Sequence, residues 1–349
     1  MPRHKAIDFC EYANSDRLAS DIALKYHEWN TYRQKWLALT KETRDYIFAT
    51  DTRSTTAGRI SWKNSTHLPK LCQIRDNLHA NYIAALFPND RAVIFEADDE
   101  ESAVNEKKTA VEAYMRNKLR LGGFRTEVSK LLLDWIDYGN CFAMVEFEDN
   151  QYVNDLGETK VSYVGPKIRR ISPLDIVFDP TSNDFMRTPK IIRTLTTLAD
   201  LKITIDDYPE MGWLQEVFDR QIDLRKKMTA PESAGVDVNK NSAYLADGFS
   251  SFKNYFDTDY VELLEFYGDI YDSDTGMVHR NQHICVVDRS YVIRKNEHPS
   301  WNGRAPIFHS GWRQRPDNLY AMGPLDNLIG MQYRIDHLEN AKTDRDWET

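Results

Sequence analysis

The chain has 349 residues, of which 54 are acidic and 45 are Lys or Arg, so its formal net charge is −9. The length suggests two domains at roughly 150 residues each, and the 41% apolar and 12% aromatic content argues against disorder. The acidic balance argues against a protein that binds nucleic acid over its whole surface, because such binding depends on clustered Lys and Arg.

Apolar residues in the first 140 positions recur every three or four residues, which is the spacing of one helix face. The longest such run predicts a single helix from about Asp16 to Phe48. Leu68-Pro69 opens the next helix, and Gly122-Gly123 ends the one after it. The three further predicted helices cover residues 68–86, 102–121 and 124–138.

From residue 141 the apolar period shortens to that of β-strands. We predict a hairpin of residues 141–148 and 160–164, followed by short strands at 167–171, 176–178 and 191–195. Thr197, with Asp200 three positions later, has the pattern of a helix N-cap. It predicts a short helix to about Ile205, and a longer amphipathic helix is predicted over residues 209–228.

Residues 229–259 are rich in Ser, Ala, Gly, Asn and Asp, which predicts a linker. A second β region follows, with strands predicted at 260–270, 284–287, 291–293 and 306–312. The last element is a helix over residues 324–344, which Gly323-Pro324 opens because Pro is tolerated in the first helical turn. This helix needs a packing partner for its apolar stripe of Leu325, Leu328, Ile329, Ile335 and Leu338.

The cysteines predict reduced thiols of a cytosolic protein, since they are far apart and share no metal-binding spacing. They are Cys10, Cys72, Cys141 and Cys285. No run approaches the ~20 apolar residues of a transmembrane helix, and residues 1–10 have no signal-peptide core. We therefore expect no membrane partner.

Two short motifs imitate metal sites. Asp272-Ser273-Asp274-Thr275-Gly276 resembles the first half of a calcium loop, but it lies between two predicted strands and lacks the later Glu, so a hairpin turn is the favoured interpretation. His279 and His283 have the four-residue spacing of helical zinc ligands. In a strand that spacing is too long for joint chelation, and we predict surface histidines.

Paired aspartates are the remaining candidate chemistry. Asp134 and Asp137, together with Asp175, Asp179 and Asp184, could hold Mg²⁺ for phosphoryl transfer. Asp175 and Asp179 are better explained as turn residues because each lies beside a proline, Pro173 or Pro180. No phosphate loop, nucleophile elbow or HExxH motif accompanies them. We therefore predict no enzyme activity and no cofactor.

Five stretches together resemble the portal proteins, or head-to-tail connectors, of short-tailed bacteriophages. They occur in the family's order and span most of the chain from Leu68 onward. They are LPKLCQIRDNLHANYIAALFPND (68–90), LLLDWIDYGNCFAMVEFE (131–148), RRISPLDIVFDPTS (169–182), YVELLEFYGDIYD (260–272) and WRQRPDNLYAMGPLDNLIGMQYRIDHLENAK (312–342).

The resemblance implies an α+β, portal-like fold with a wing, a helical stem and a small β-rich clip. The implied parts are a wing-like α+β body over 1–208, a stem helix over 209–228, a linker over 229–259, a clip-like module over 260–318, and a returning stem helix and tail over 319–349. Family members continue with further wing, channel-loop and crown segments. We therefore expect the C-terminal part of the fold to be missing from this chain, which is either a truncated gene product or part of a longer protein.

The resemblance also implies a function in the virion. Portal proteins form a dodecameric ring at one capsid vertex, and double-stranded DNA passes through the ring without sequence specificity during packaging and ejection. The implied partners are further copies of the chain, the packaging terminase, the major capsid protein and tail adaptor proteins. The ring is expected to assemble in the bacterial host cytoplasm.

The implied site residues lie on the two stem helices. We expect Leu214, Val217 and Phe218 of the first helix to pack against the apolar stripe of the last. Other residues of the last helix are expected to face the channel or a neighbouring subunit. They are Gln332, Arg334, Asp336, Asn340, Lys342 and Arg345.

Two other functions stay open. A metal-dependent, nuclease-like enzyme requires Asp134, Asp137, Asp175 and Asp179 to converge within about 4–5 Å of a shared point. A soluble adaptor would instead use the terminal helix to bind a groove on another protein.

Overall fold

A computed structural model describes residues 6–48, 68–88, 105–153, 157–182, 184–229, 260–300 and 303–348. The fold is mixed α and β with mainly antiparallel sheets, which confirms the α+β prediction. The helices are α1 (Ser15–Tyr32), α2 (Gln34–Phe48), α3 (Lys70–Leu86), α4 (Asn105–Leu121), α5 (Phe124–Asp137), α6 (Leu198–Asp207), α7 (Gln215–Thr229) and α8 (Ile329–Glu348). Short 3₁₀ turns lie at Phe185–Arg187, Pro209–Met211 and Asp326–Leu328.

The strands fall into three sheets. They are β1 (Ala6–Cys10), β2 (Asn140–Val153), β3 (Thr159–Ile171), β4 (Ile176–Phe178), β5 (Lys190–Thr197), β6 (Tyr260–Asp272), β7 (Val278–Val287), β8 (Tyr291–Glu297), β9 (Ile307–Gly311), β10 (Arg313–Arg315) and β11 (Asn318–Met322).

The chain divides into two compact units. The first consists of Met1–Tyr32, Asp175–Asp179 and Met186–Ala305, and the second of Arg33–Leu174, Pro180–Phe185 and Pro306–Thr349. Each unit is therefore assembled from segments that are distant in sequence.

The first unit is built on a sheet with strand order β4-β5-β6-β7-β8, in which β1 pairs in parallel with the end of β6. Helix α1 covers one face, where its apolar residues meet Leu264 and Phe266 of β6. Helices α6 and α7 belong to the cluster on the other face, with Val261 and Leu263. Alternate side chains of β6 point to opposite faces of the sheet. Because helices cover both faces, the sequence of β6 is a nearly continuous apolar run.

The second unit contains the sheet β3-β2-β9 and the ribbon β10-β11. Its apolar cluster joins four helical segments and the turn before α8. The buried members are Tyr46, Ile47, Leu71, Ile136, Leu325 and Ile329. Polar contacts, described below, join the other elements of this unit.

The prediction of one helix from Asp16 to Phe48 is wrong, because the helix is interrupted at Arg33. Arg33 is only 3% exposed, and its guanidinium donates to the carbonyl oxygens of Pro173 at 2.9 Å and Leu174 at 2.5 Å. A buried cation needs such acceptors, and these two are supplied from about 140 residues away.

Several predicted boundaries also change. The strands predicted at 160–164 and 167–171 are one strand, β3, paired with β2 over most of its length. The terminal helix begins at Ile329 and not at Pro324, because residues 318–322 form β11 and a 3₁₀ turn intervenes. The helix predicted from 209 begins at Gln215.

The predicted β module at 260–318 is not separate from the preceding body. Strand β6 pairs with β5 from Lys190↔Tyr267 to Thr197↔Tyr260, so residues 260–297 complete a sheet that residues 176–197 begin. Most of the linker predicted at 229–259 lies outside the described residues.

Candidate functional site

The polar residues predicted at subunit boundaries on the last helix are buried instead. Gln332, Asp336 and Asn340 are 2%, 4% and 4% exposed. The Gln332 amide donates to the Leu68 carbonyl at 2.5 Å and to Asp336 Oδ1 at 2.9 Å, and the Leu68 N–H donates to Asp336 Oδ1 at 3.1 Å. These contacts anchor the start of α3 within the second unit, because an amide and a carboxylate satisfy both backbone groups of Leu68.

The basic residues of the same helix lie on its outer side. Arg334, Lys342 and Arg345 are exposed. Met331 and Leu338, on the same side of the helix, are 63% and 57% exposed. Leu338, which we expected in the packed stripe, therefore faces solvent.

The residues predicted to pack the two stem helices have other neighbours within their own units. Phe218 is buried with Leu201 and Val261 in the first unit, and Val217 packs against the same cluster. Leu214 is 45% exposed. In the second unit, Leu325 and Ile329 are buried with Tyr46 and Leu71, Leu328 packs against them, and Ile335 is half-buried.

Two of the five aspartates considered for a metal centre, Asp134 and Asp137, are bound to arginines. Asp137 receives the Arg75 guanidinium at 2.6 and 2.9 Å, and Asp134 receives Arg170 through two contacts, one of them 2.7 Å long. Burial raises the pKa of Asp134, and its hydrogen bond to Arg170 acts in the opposite direction. These pairs stabilise α5 against α3 and β3.

The metal centre that the nuclease-like alternative requires is not formed by the described carboxylates. Asp134 and Asp137 belong to the second unit, and Asp175 and Asp179 belong to the first. Within the described ranges, no group of three or more His, Cys, Asp or Glu side chains is arranged to hold a metal ion.

A serine–histidine pair lies in an open groove of about 430 Å³ between α3 and α5. His79 Nε2 is 3.0 Å from Ser129 Oγ, but it is also 3.3 Å from the Ser129 carbonyl oxygen. A carbonyl oxygen can only accept, so this geometry favours a protonated Nε2 that donates. A nitrogen that carries its proton is not a base for the hydroxyl, and the pair is best explained as a helix–helix contact.

The segment Tyr138-Gly139-Asn140 forms a tight crossing in the second unit. Asn140 is fully buried; its amide donates to the carbonyl oxygens of Tyr138 and Ala321, both at 3.0 Å, and its Oδ1 accepts the Ala321 N–H at 2.9 Å. His309 Nε2 lies 3.0 Å from the same oxygen. One side chain thus joins the start of β2 to β9 and β11.

Glycine is required at this crossing. Gly139 has φ +69°, and a Cβ there would overlap the backbone nitrogen of Gly323. The Gly323 N–H in turn donates to Asp326 Oδ2 at 2.7 Å, in the turn that precedes α8. The YGN and MGPLD motifs, which carry part of the family resemblance, therefore meet in space.

The two histidines of β7 are not both at the surface. His283 is 7% exposed, stacks on Tyr267 with ring centroids 4.3 Å apart, and lies 3.7 Å from Glu265. His279 is half-buried and stacks on Tyr12 at 3.7 Å. The prediction of surface histidines is wrong for His283.

The hairpin interpretation of Asp272–Gly276 is confirmed. Asp272 Oδ1 accepts the Asp274 N–H at 3.1 Å, Oδ2 accepts the Thr275 hydroxyl at 2.7 Å, and Gly276 has φ +68°. The carboxylate that a calcium ion would need is engaged in the turn.

The described cysteines, Cys72, Cys141 and Cys285, are free thiols as predicted. Burial raises the pKa of Cys141 to about 11 and that of Cys285 well above its usual value, so both stay protonated at neutral pH. In the described part of the chain, no helix has the length and apolarity needed to cross a membrane.

Comparison of the sequence with models of known protein families and with curated proteins finds no match. The family resemblance therefore depends on the quoted segments themselves.

Sequence reasoning missed the roles of Asn140 and Arg33, and nothing in their local pattern indicates them. The buried polar residues of α8 could have been grouped from their spacing in the sequence. Gln332 interrupts the apolar stripe, and Asp336 and Asn340 follow at four-residue spacing, which places all three on one side of the helix.

Proposed function

We propose that this chain is a structural subunit of a phage portal ring. In this function, copies of the chain surround a channel for genome packaging and ejection at the capsid vertex. The ring is also the platform on which the packaging terminase and then the tail proteins dock. The observation that carries the proposal is the occurrence of five family-like segments in the family's order, from Leu68 to Lys342.

The contacts among these segments support the proposal. Arg75 of the first segment binds Asp137 of the second, and Gly139 of the second lies against Gly323 of the last. Arg170 of the third segment binds Asp134 of the second. Residues that resemble one family are thus joined to each other, as expected if they specify a shared scaffold and not a local catalytic motif.

The environment of the aspartates favours a structural protein over a phosphoryl-transfer enzyme. Metal-dependent phosphoryl transfer needs carboxylates free to bind Mg²⁺. Asp134 and Asp137 instead neutralise Arg170 and Arg75, and both carboxylates are less than 10% exposed.

The test is the mass and shape of the purified 349-residue chain. Light scattering coupled to size-exclusion chromatography should give a large homo-oligomer, and negative-stain microscopy should show rings with a central hole. A protein that stays monomeric at high concentration contradicts the proposal for this chain. It would favour the adaptor function, in which the terminal helix binds another protein.

A further inference from the structure

The outer side of α8 is a basic surface with exposed apolar side chains. We call it the basic face. It consists of Met331, Arg334, Leu338, Lys342 and Arg345, which are all exposed. Their spacing of three, four and seven residues places them on one side of the helix, because the α-helix repeats every 3.6 residues. By the same repeat, Asp336, Glu339 and Asp344 fall on other sides.

After its first turn, which buries Ile329, this helix turns polar side chains inward and apolar side chains outward. Gln332, Asp336 and Asn340 are buried, whereas Met331 and Leu338 are 63% and 57% exposed. A surface helix ordinarily turns its apolar stripe inward. Apolar side chains on the outer side, framed by cations, are typical of a surface that binds another protein.

A second surface has the opposite charge. We call residues 200–219 the acidic surface; they run from α6 through the 3₁₀ turn into α7. Four of its large apolar side chains are between 38% and 57% exposed: Ile203, Tyr208, Met211 and Leu214. Its exposed carboxylates are Asp200, Asp206, Asp207, Glu210, Glu216 and Asp219.

Lys202, the one Lys or Arg within residues 200–219, already contacts side chains of the same stretch. Lys202 lies 2.7 Å from Asp206 and 2.9 Å from the Gln215 side-chain oxygen. Within residues 200–219 the six exposed carboxylates outnumber this one cation, so the stretch carries a net negative charge next to exposed apolar side chains.

We propose that the basic face of one copy of this chain binds the acidic surface of a second copy. The two surfaces are complementary in charge, and both offer apolar side chains for burial. Nucleic acid would match the cations but not Met331 and Leu338. Since the whole chain carries a net charge of −9, a second copy is an acidic partner for a basic face.

Contact between two different surfaces is head-to-tail, and head-to-tail contacts close into rings or extend into filaments. The inference therefore rests on the proposed function and identifies the surfaces through which its subunits associate. It also gives Arg334, Lys342 and Arg345 a partner within the assembly.

Two charge-reversed variants test the contact. The first carries Arg334→Glu, Lys342→Glu and Arg345→Glu, and the second carries Asp206→Lys, Asp207→Lys and Glu210→Lys. Each variant alone presents two surfaces of the same sign, so each should be at least tenfold weaker in self-association by light scattering. Mixed in equal amounts, the two variants should assemble again, since every contact between unlike copies is then complementary.

A control variant reverses three exposed cations of α4, with Lys107→Glu, Arg116→Glu and Arg120→Glu, and should assemble like the unchanged chain. Circular dichroism checks that all variants fold. If the unchanged chain forms rings and the two test variants do so equally well, this inference is overturned and the proposed function stands. A monomeric unchanged chain overturns both. Loss of assembly without recovery on mixing also overturns the inference.

Discussion

The two units stabilise their helices in different ways. In the first unit, α1 and α6–α7 cover opposite faces of one sheet with apolar side chains, among them Leu18, Phe218 and Phe266. In the second unit an apolar cluster also packs α2, α3, α5 and α8, but arginines, aspartates and amides add buried polar contacts between elements far apart in sequence. Examples are the pairs Arg75–Asp137 and Arg170–Asp134.

The difference affects how each unit should respond to substitution. Apolar packing is spread over many contacts, so the loss of stability on truncating a buried side chain grows with the volume removed. The loss of one partner from a buried polar contact costs more than the contact itself, because the other partner stays desolvated and unsatisfied. The first unit is not purely apolar, since its fully buried Glu262 binds Arg193 and Arg289 at 2.7 and 2.8 Å.

The largest expected effect is in the first unit. Phe266 is fully buried in the cluster with α1, and Phe266→Ala should lower the free energy of unfolding by about 3–5 kcal/mol, measured by urea denaturation. The matched control is Phe147→Ala, at a side chain that is 72% exposed, which should change stability by less than about 0.5 kcal/mol. Equal effects would contradict the assignment of the apolar core.

In the second unit, Asp137→Ala should cost about 3 kcal/mol because Arg75, whose side chain is 14% exposed, loses its buried carboxylate partner and keeps the exposed Asp76 at 3.3 Å. The double variant Arg75→Met with Asp137→Leu should recover most of the loss, since no buried charge remains. Hydrogen exchange should show faster opening of α3 and α5 in the single variant, with β6 and β7 unchanged. Faster exchange throughout the first unit would contradict the separation of the two.

Asn140→Ala should cost about 1–3 kcal/mol, because the Ala321 N–H and two carbonyl oxygens lose their partner. Asn150→Ala is the control: its side chain is exposed and bonds to Glu148. Thermal unfolding compares the two. If both variants melt at the temperature of the unchanged chain, the crossing at Asn140 is not a stabilising contact.

Each unit contains a histidine whose burial lowers its pKa to about 4: His298 in the first and His309 in the second. The folded state then binds fewer protons than the unfolded state between pH 6.5 and pH 4. The contribution of these two histidines to stability should therefore be constant above pH 6.5 and fall on acidification through this window, by at most about 1.4 kcal/mol per pH unit for each group. His309→Gln should reduce the slope of stability against pH, and an unchanged slope would exclude His309 as a source.

The smallest expected effect is at the start of α6. Thr197 Oγ1 accepts the Asp200 N–H at 3.0 Å, so Thr197→Ala should cost about 1 kcal/mol. Thr197→Ser keeps the hydroxyl and should lose only a fraction of that. A serine variant as unstable as the alanine variant would show that the lost methyl group, and not the cap, explains the change.

The elements with a local signal were predicted well from the sequence. The Thr197 cap, the Asp272–Gly276 hairpin turn and helices α3 and α5 form close to their predicted places. These depend on contacts between residues a few positions apart, which a periodicity or a cap motif reports directly.

Less of the candidate site could be predicted from the sequence. Helical spacing places Arg334, Lys342 and Arg345 on one side of α8 and Gln332, Asp336 and Asn340 on another, but it does not indicate which side is buried. The burial of the polar side requires Leu68, more than 260 residues earlier, to present its backbone groups to α8. Leu338 fits the apolar stripe by spacing, yet its side chain is 57% exposed.

By itself, the sequence determined the composition class, the α+β content and most helices and strands, because short-range propensity and apolar period specify them. Only the tertiary structure decided which strands share a sheet, where the helix at Arg33 breaks, and which aspartates are neutralised by arginine. Those outcomes depend on groups 36 to 181 residues apart, such as Arg170 with Asp134 and Asn140 with Ala321. A buried polar group must find a partner wherever the fold brings one, and no local pattern records where that is.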